Sequence, residues 1–223
     1  MEVDNKTLKK TRVHTVYKNK AGDRVPSVTT ILGILNKPAL MDWAWKCGLE
    51  GLDYKAVRDN AGDIGTLAHY LILCDIKGEK PDTSEYSPAD VNKAETCLLK
   101  YWEWRKTTPI KPLLAEYSLV SEQYKYGGTL DLFGQREDTK EFVLVDFKTG
   151  KAIYNEYFYQ LAAYETLLAE NGHSWDKTMV LRIGRDEAEG FEVRDIGNLD
   201  KHFELFKHCL NIYRLQAELR KEK

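Results

Sequence analysis

Long apolar runs, paired cysteines and a surplus of either charge are all missing from this sequence. No stretch approaches the ~20 apolar residues that a membrane-spanning helix needs. The opening segment MEVDNKTLKKTRVHTVYKNK is polar and has no signal-peptide core, so the expectation is a protein that works in the cytoplasm or an equivalent reducing space. The four cysteines, Cys47, Cys74, Cys97 and Cys209, contain no C-x-x-C pair. Their spacing therefore argues against a zinc ribbon or an iron–sulfur site, and most of them read as small hydrophobes on helices. A net charge of −2 offers no global attraction to nucleic acid. Basic residues do gather at the two ends: Lys6, Lys9, Lys10, Arg12, Lys18 and Lys20, then Lys207, Arg214, Arg220, Lys221 and Lys223. They read equally as phosphate contacts or as solvated tails.

Internal repeats, low-complexity segments and interdomain linkers are absent as well. At 223 residues the chain fits one domain with a proper core, mainly helical over 1–108 and mixed over 109–223. His14 to Tyr17 is rich in β-formers and leads into the turn Asn19–Asp23. Ser27 is placed to cap a short helix through Leu35, and a longer helix carrying Trp43, Trp45 and Leu49 follows Pro38. Gly62–Ile76 and Pro88–Lys106 have helical periodicity, the second with Ser87 as cap and Pro88 in its first turn. After Pro109 come three β-rich runs, Leu113–Val120, Tyr126–Phe133 and Phe142–Phe147. The last, with Phe-Val-Leu-Val, is nearly continuously apolar, as for a strand covered on both faces. A helix over Tyr154–Glu170 closes at Asn171-Gly172, then strands at Thr178–Ile183 and Phe191–Val193 precede a helix over Leu199–Leu219. The pattern is a mixed α/β fold.

The chemistry concentrates in Gly128-Thr-Leu-Asp131, Asp146-Phe-Lys148 and Gln160-x-x-x-Tyr164. Asp131, late in the second run, and Asp146, at the end of the third, can point at one spot. That is costly unless a cation neutralises them, and oxygen ligands suit Mg²⁺ or Mn²⁺. Lys148 lies two residues beyond Asp146, so both project from one strand face. There a lysine can orient water or stabilise charge on a phosphate. An isolated acid–x–lysine is usually a surface ion pair; the apolar strand before it and the aspartate on the preceding strand set this one apart. Gln160 and Tyr164, four apart, share a helix face, where they can brace the lysine or reach substrate, or Tyr164 can simply pack under the sheet. His69 follows Gly65 by one helical turn and can complete a carboxylate metal shell. Glu116, in the first run, either supports the site or faces solvent. Trp43 and Trp45 read as core residues or as surfaces for stacking bases.

This set, with a G-x-x-x-H helix before it, resembles the RecB-type branch of the PD-(D/E)xK nuclease superfamily. That branch includes CRISPR-associated, phage and mitochondrial genome maintenance exonucleases. The segment Val25-Pro-Ser-Val-Thr-Thr-Ile-Leu32 resembles the early helix of the last group, so the likeness runs from about Val25 to Tyr164. It implies a restriction-endonuclease-like αβββαβ core with a helical N-terminal portion. By it, His69, Asp131 and Asp146 become metal ligands with the Phe147 carbonyl as a fourth, and Lys148 becomes the catalytic lysine. Gln160 and Tyr164 become the motif after it, and Glu116 matches an acid at the start of the first core strand. The implied cofactor is Mg²⁺ or Mn²⁺. The implied partner is DNA with a single-stranded or free end, in a bacterial or phage-infected cell, with no membrane. The CRISPR-associated members carry four cysteines for a cluster, one early and three clustered late. Only Cys209 is late here, so no iron–sulfur cluster is expected. The competing readings are a structure-specific or single-strand endonuclease of the same fold, a non-catalytic nucleic-acid-binding module, and a scaffold protein that binds no metal.

Overall fold

The fold was obtained as a computed structural model that describes residues 15–222. The basic residues Lys6, Lys9, Lys10, Arg12 and Lys223 lie outside the described residues, as does His14. A small hairpin, β1 (Tyr17–Lys18) and β2 (Arg24–Val25), opens the described chain. Its turn is closed by Asn19 and Asp23, with Gly22 in the left-handed region. Four helices follow: α1 (Val28–Leu32), α2 (Pro38–Leu49), α3 (Tyr54–Lys77) and α4 (Pro88–Thr107). Ser27 caps α1 by accepting the Thr30 N–H at 3.0 Å, and Ser87 caps α4 the same way through Asp90. Pro38 and Pro88 sit in first turns, where a missing N–H costs nothing.

Two helix boundaries differ from expectation. α1 stops at Leu32 rather than Leu35. α3 begins at Tyr54, well before Gly62, because Asp53 accepts the Lys55 N–H and starts the helix. Two glycines inside it therefore do not break it.

The second half supplies a five-stranded sheet in the order β3 (Ile110–Ser121), β4 (Tyr126–Arg136), β5 (Phe142–Lys148), β6 (Lys177–Ile183) and β7 (Phe191–Ile196). β3–β4 and β4–β5 pair antiparallel. β5 and β6 pair parallel, joined across α5 (Asn155–Glu170), and β7 returns antiparallel before α6 (Asp200–Lys221). Asp131 is thus central in β4 rather than late, since the strand runs on to Arg136. Glu116 likewise sits inside β3, not at its start.

The sheet is the middle of three layers. α3 and α4 cover one face, packed on Leu132, Val143, Val145, Phe147, Met179 and Leu181. α1, α5 and α6 cover the other, against Leu130, Phe133, Leu144 and Val180. β5 is buried on both faces, which is why its first four residues, Phe142 to Val145, are all apolar. Each cysteine is buried and unpaired on a helix of its own, α2, α3, α4 and α6. Among the described residues, no helix is long and apolar enough to cross a membrane.

Candidate metal and catalytic centre

Side chains two apart in a strand share a face, yet Leu130 packs against α5 and α6 whereas Leu132 packs against α3 and α4. The alternation breaks at Asp131. Opposite it, Glu116 adopts a positive φ of 46°, a conformation unusual outside glycine. The pairs on either side, Ala115 with Leu132 and Tyr117 with Leu130, set Glu116 across from Asp131. The β4–β5 ladder ends at Leu132 with Val145, so one step further sets Asp131 across from Asp146. The Asp131 carboxylate fills the opening by accepting the Phe147 N–H at 2.7 Å. Three acids on three adjacent strands therefore share one cross-strand row where the sheet splits.

The row divides between the two faces. On the α3 side, His69 Nδ1 lies 3.4 Å from Asp131 Oδ1 and 3.6 Å from Glu116 Oε1. One donor atom from each of these three residues lies within 4.8 Å of the others, spacing that a single metal ion could bridge. With Ile72, Leu73, Ile76 and Phe147 they line a tight cleft with no room for a free water. On the α5 side, Asp146 is 1% exposed and its Oδ2 lies 2.6 Å from Lys148 Nζ. Gln160 ties this pair to its own helix: it donates to Asp146 Oδ1 (3.4 Å) and the Tyr164 hydroxyl (2.8 Å), and its Oε1 accepts from Lys148 (3.3 Å).

The structure thus brings together His69, Glu116, Asp131, Asp146, Phe147, Lys148, Gln160 and Tyr164, but in two groups. Glu116 joins His69 and Asp131, while Asp146 is held by Lys148. Phe147 enters through its amide and its ring.

Burial opposes a positive charge on His69, but Asp131 and then Glu116 outweigh it and raise the imidazole to about 10. Burial also works against the Asp131 carboxylate, and the attraction of His69 and Lys148 lowers it all the same. Asp146 is pushed up by burial, against the pull of Lys148. Lys148 is desolvated too, yet Asp146 and Asp131 hold it charged. Burial keeps the Tyr164 phenol protonated.

Two glycines of the motifs have steric reasons. A Cβ on Gly65 would sit 2.9 Å from Thr149 Oγ1, and one on Gly128 only 2.5 Å from Tyr164 Cε1. They let α3 and α5 close on the sheet and so deliver His69 and Gln160. Tyr157 was not anticipated. Its ring lies 4.9 Å from Lys148 Nζ, and the i, i+3 spacing to Gln160 was the signal that could have found it. Tyr17, Ser118 and Thr129 also extend the α3 side of the site as a hydroxyl chain, with both links at 2.8 Å. Of the tryptophans, Trp104 is core, Trp43 is partly buried against Tyr54, and Trp45 is 66% exposed.

No family model matches the chain, and no curated protein matches it. Among solved structures, a candidate exonuclease from Eubacterium rectale aligns with a TM-score of 0.46 at 12% identity, over 69% of this chain and 65% of that one. The alkaline exonuclease LHK-Exo from Laribacter hongkongensis aligns over 89% of this chain and 95% of its own, with a TM-score of 0.38 at 13% identity. In its complex with dAMP the same enzyme gives 0.41 at 15%, over 70% and 80%. The chain spans just under two thirds of the first of these proteins, and similarity at this level decides neither activity nor family.

Proposed function

We propose that this chain is a Mg²⁺- or Mn²⁺-dependent deoxyribonuclease of the RecB-like PD-(D/E)xK type that trims DNA from single-stranded ends. The observation that carries the reading is the row Glu116, Asp131 and Asp146, flanked by His69 on one side and Lys148 on the other. Three carboxylates in one place need positive charge. His69, as imidazolium, and Lys148 supply it here, which is the role a divalent ion takes over when bound. The donor set of His69, Glu116 and Asp131, with Asp146 and the Phe147 carbonyl adjoining, suits a hard cation that also binds phosphate.

When bound, that ion supplies Lewis acidity to the scissile phosphate and acidifies a water. Lys148 holds a full positive charge at the opening of the sheet, where charge builds on the phosphate during attack. Gln160 fixes the lysine's direction through its Oε1 while its amide holds Asp146, so the two move as one unit. Tyr164 anchors Gln160 from below, and the Tyr157 ring restricts where the lysine head can swing. The nuclease unit spans residues 1–223 in this reading, with helices of the first half as one wall. The end preference rests on α2 and the start of α3, where Met41, Trp45, Leu49 and Val57 stay exposed. Such a face can contact unpaired bases irrespective of sequence.

The test is incubation with end-labelled linear single-stranded, double-stranded and circular single-stranded DNA, with Mg²⁺ or with EDTA. Short products from linear single strands, with circles spared, are expected. Cut circles would replace the end-trimming activity with an endonuclease. Mg²⁺-dependent cleavage by purified Lys148→Ala would overturn the mechanism.

A further inference from the structure

An arginine rarely lies half-buried without an anion, because its charge and its five donors lose water there. Arg185 is in that position. It follows Gly184 at the end of β6, beside the end of β5, where parallel strands leave a crevice at their carboxyl ends. Its Nη2 donates to Thr149 Oγ1 at 3.2 Å, and Thr149 is the residue after Lys148. Its Nε is shut off from solvent and has no acceptor. Among the described residues no carboxylate lies within ion-pair distance of the guanidinium. Two of the three acids of its own turn are spent on backbone: Glu189 accepts the Arg185 N–H, and Asp186 accepts those of Ala188 and Glu189. Gly65, one turn before His69, leaves the room: a Cβ there would lie 2.9 Å from Thr149 Oγ1 and 3.9 Å from Arg185 Nη2.

We infer that Arg185 is a substrate-binding residue that takes a backbone phosphate of the DNA strand next to the scissile one. The inference rests on the nuclease reading. One Nη2 donor goes to Thr149, and the remaining Nη donors of the guanidinium can meet phosphate oxygens. Thr149 follows Lys148 but lies against Gly65 on the α3 side of the sheet, so one cation meets the reacting phosphate from the α5 side and the other its neighbour from the α3 side.

The experiment measures binding of a fluorescent single-stranded oligonucleotide in EDTA by anisotropy, across a salt series. Loss of one phosphate contact lowers the slope of log K against log salt by about 0.7 for a single strand. Arg185→Ala is expected to show that drop together with roughly ten- to a hundredfold weaker binding. Arg185→Lys should keep the slope and lose part of the affinity. A slope in Arg185→Ala equal to wild type overturns the inference, and a fall in melting temperature alone would reduce Arg185 to a prop for Thr149. Should the alanine variant fail to fold, Arg185→Gln, which keeps a donor toward Thr149, carries the same slope test. Wild-type protein that neither binds nor cuts DNA would instead overturn the nuclease reading itself. Normal cleavage with an unchanged slope removes only the role of Arg185.

Discussion

Adding one methyl group at Gly128 should disable the centre from beneath. The Cβ of Gly128→Ala would lie 2.5 Å from Tyr164 Cε1 and 3.0 Å from Leu167 Cδ1. Carbon contacts settle at ~3.5–4.0 Å, so the tyrosine ring must retreat by about 1 Å. Its hydroxyl then leaves the 2.8 Å contact with the Gln160 amide, and Gln160 is the link between Asp146 and Lys148. Overpacking costs ~1–3 kcal/mol and a lost hydrogen bond ~0.5–1.5, so about 2–4 kcal/mol of stability should go. For a chain of this size that is a melting temperature lower by about 4–16 °C. Activity should fall further than the unfolded fraction explains, read as initial cleavage rate at a temperature where both proteins remain folded. The double variant Gly128→Ala/Tyr164→Leu separates the two effects: it relieves the clash and regains stability, but without the hydroxyl it does not regain activity. Gly128→Ala with wild-type melting and wild-type rate would refute the steric link between these motifs.

His69 gives a pH test. The imidazole is held protonated up to about 10 by Asp131 and Glu116 despite its burial, so a metal that takes its nitrogen must displace a proton. Apparent Mn²⁺ affinity should therefore rise with pH by up to tenfold per unit below that value, with about one proton released in calorimetry across buffers. In His69→Ala both the proton release and much of the affinity should vanish; unchanged binding would return His69 to the core. Cys97 gives another, in stability: burial raises its thiol from 9.0 to about 11. A folded-state value above the unfolded one means this contribution is complete below pH 9 and is lost as pH rises towards 11. The alkaline loss, at most roughly 3 kcal/mol, should be smaller in Cys97→Ala when denaturation midpoints are compared from pH 8 to 11. Glu116→Gly should be more stable than wild type by about 1 kcal/mol in urea, because glycine accepts a positive φ freely, while its Mn²⁺ binding weakens. A less stable glycine variant would show that the strain is not there.

How much of this was open to reading depends on the range of the physics involved. Asp146 and Lys148 share a face because a strand alternates every two residues, and that needs nothing beyond the strand itself. The caps at Ser27 and Ser87 are equally local. Glu116 is different. Its place opposite Asp131 depends on pairing register and on a positive φ that no neighbouring residue announces, so from the sequence it could as well face solvent. Counted from Leu130, a two-residue period turns Asp131 toward His69; counted from Leu132 it predicts the opposite, so the face of Asp131 is open until the break between the two leucines is known. Gly62 and Gly65 fall inside the helix expected over Gly62–Ile76, but α3 starts eight residues earlier, at Tyr54, where Asp53 caps it. Gly65 is inside the helix because Thr149, eighty-four residues on, needs its missing side chain. Arg185 has no pattern around it at all, and its importance comes from what it lacks nearby, which only tertiary structure defines. The centre is therefore local in its chemistry and non-local in its assembly: the acid–x–lysine pair can be read from seven residues of strand, but His69 and Glu116 meet Asp131 on the other side of the sheet only once the strands have split.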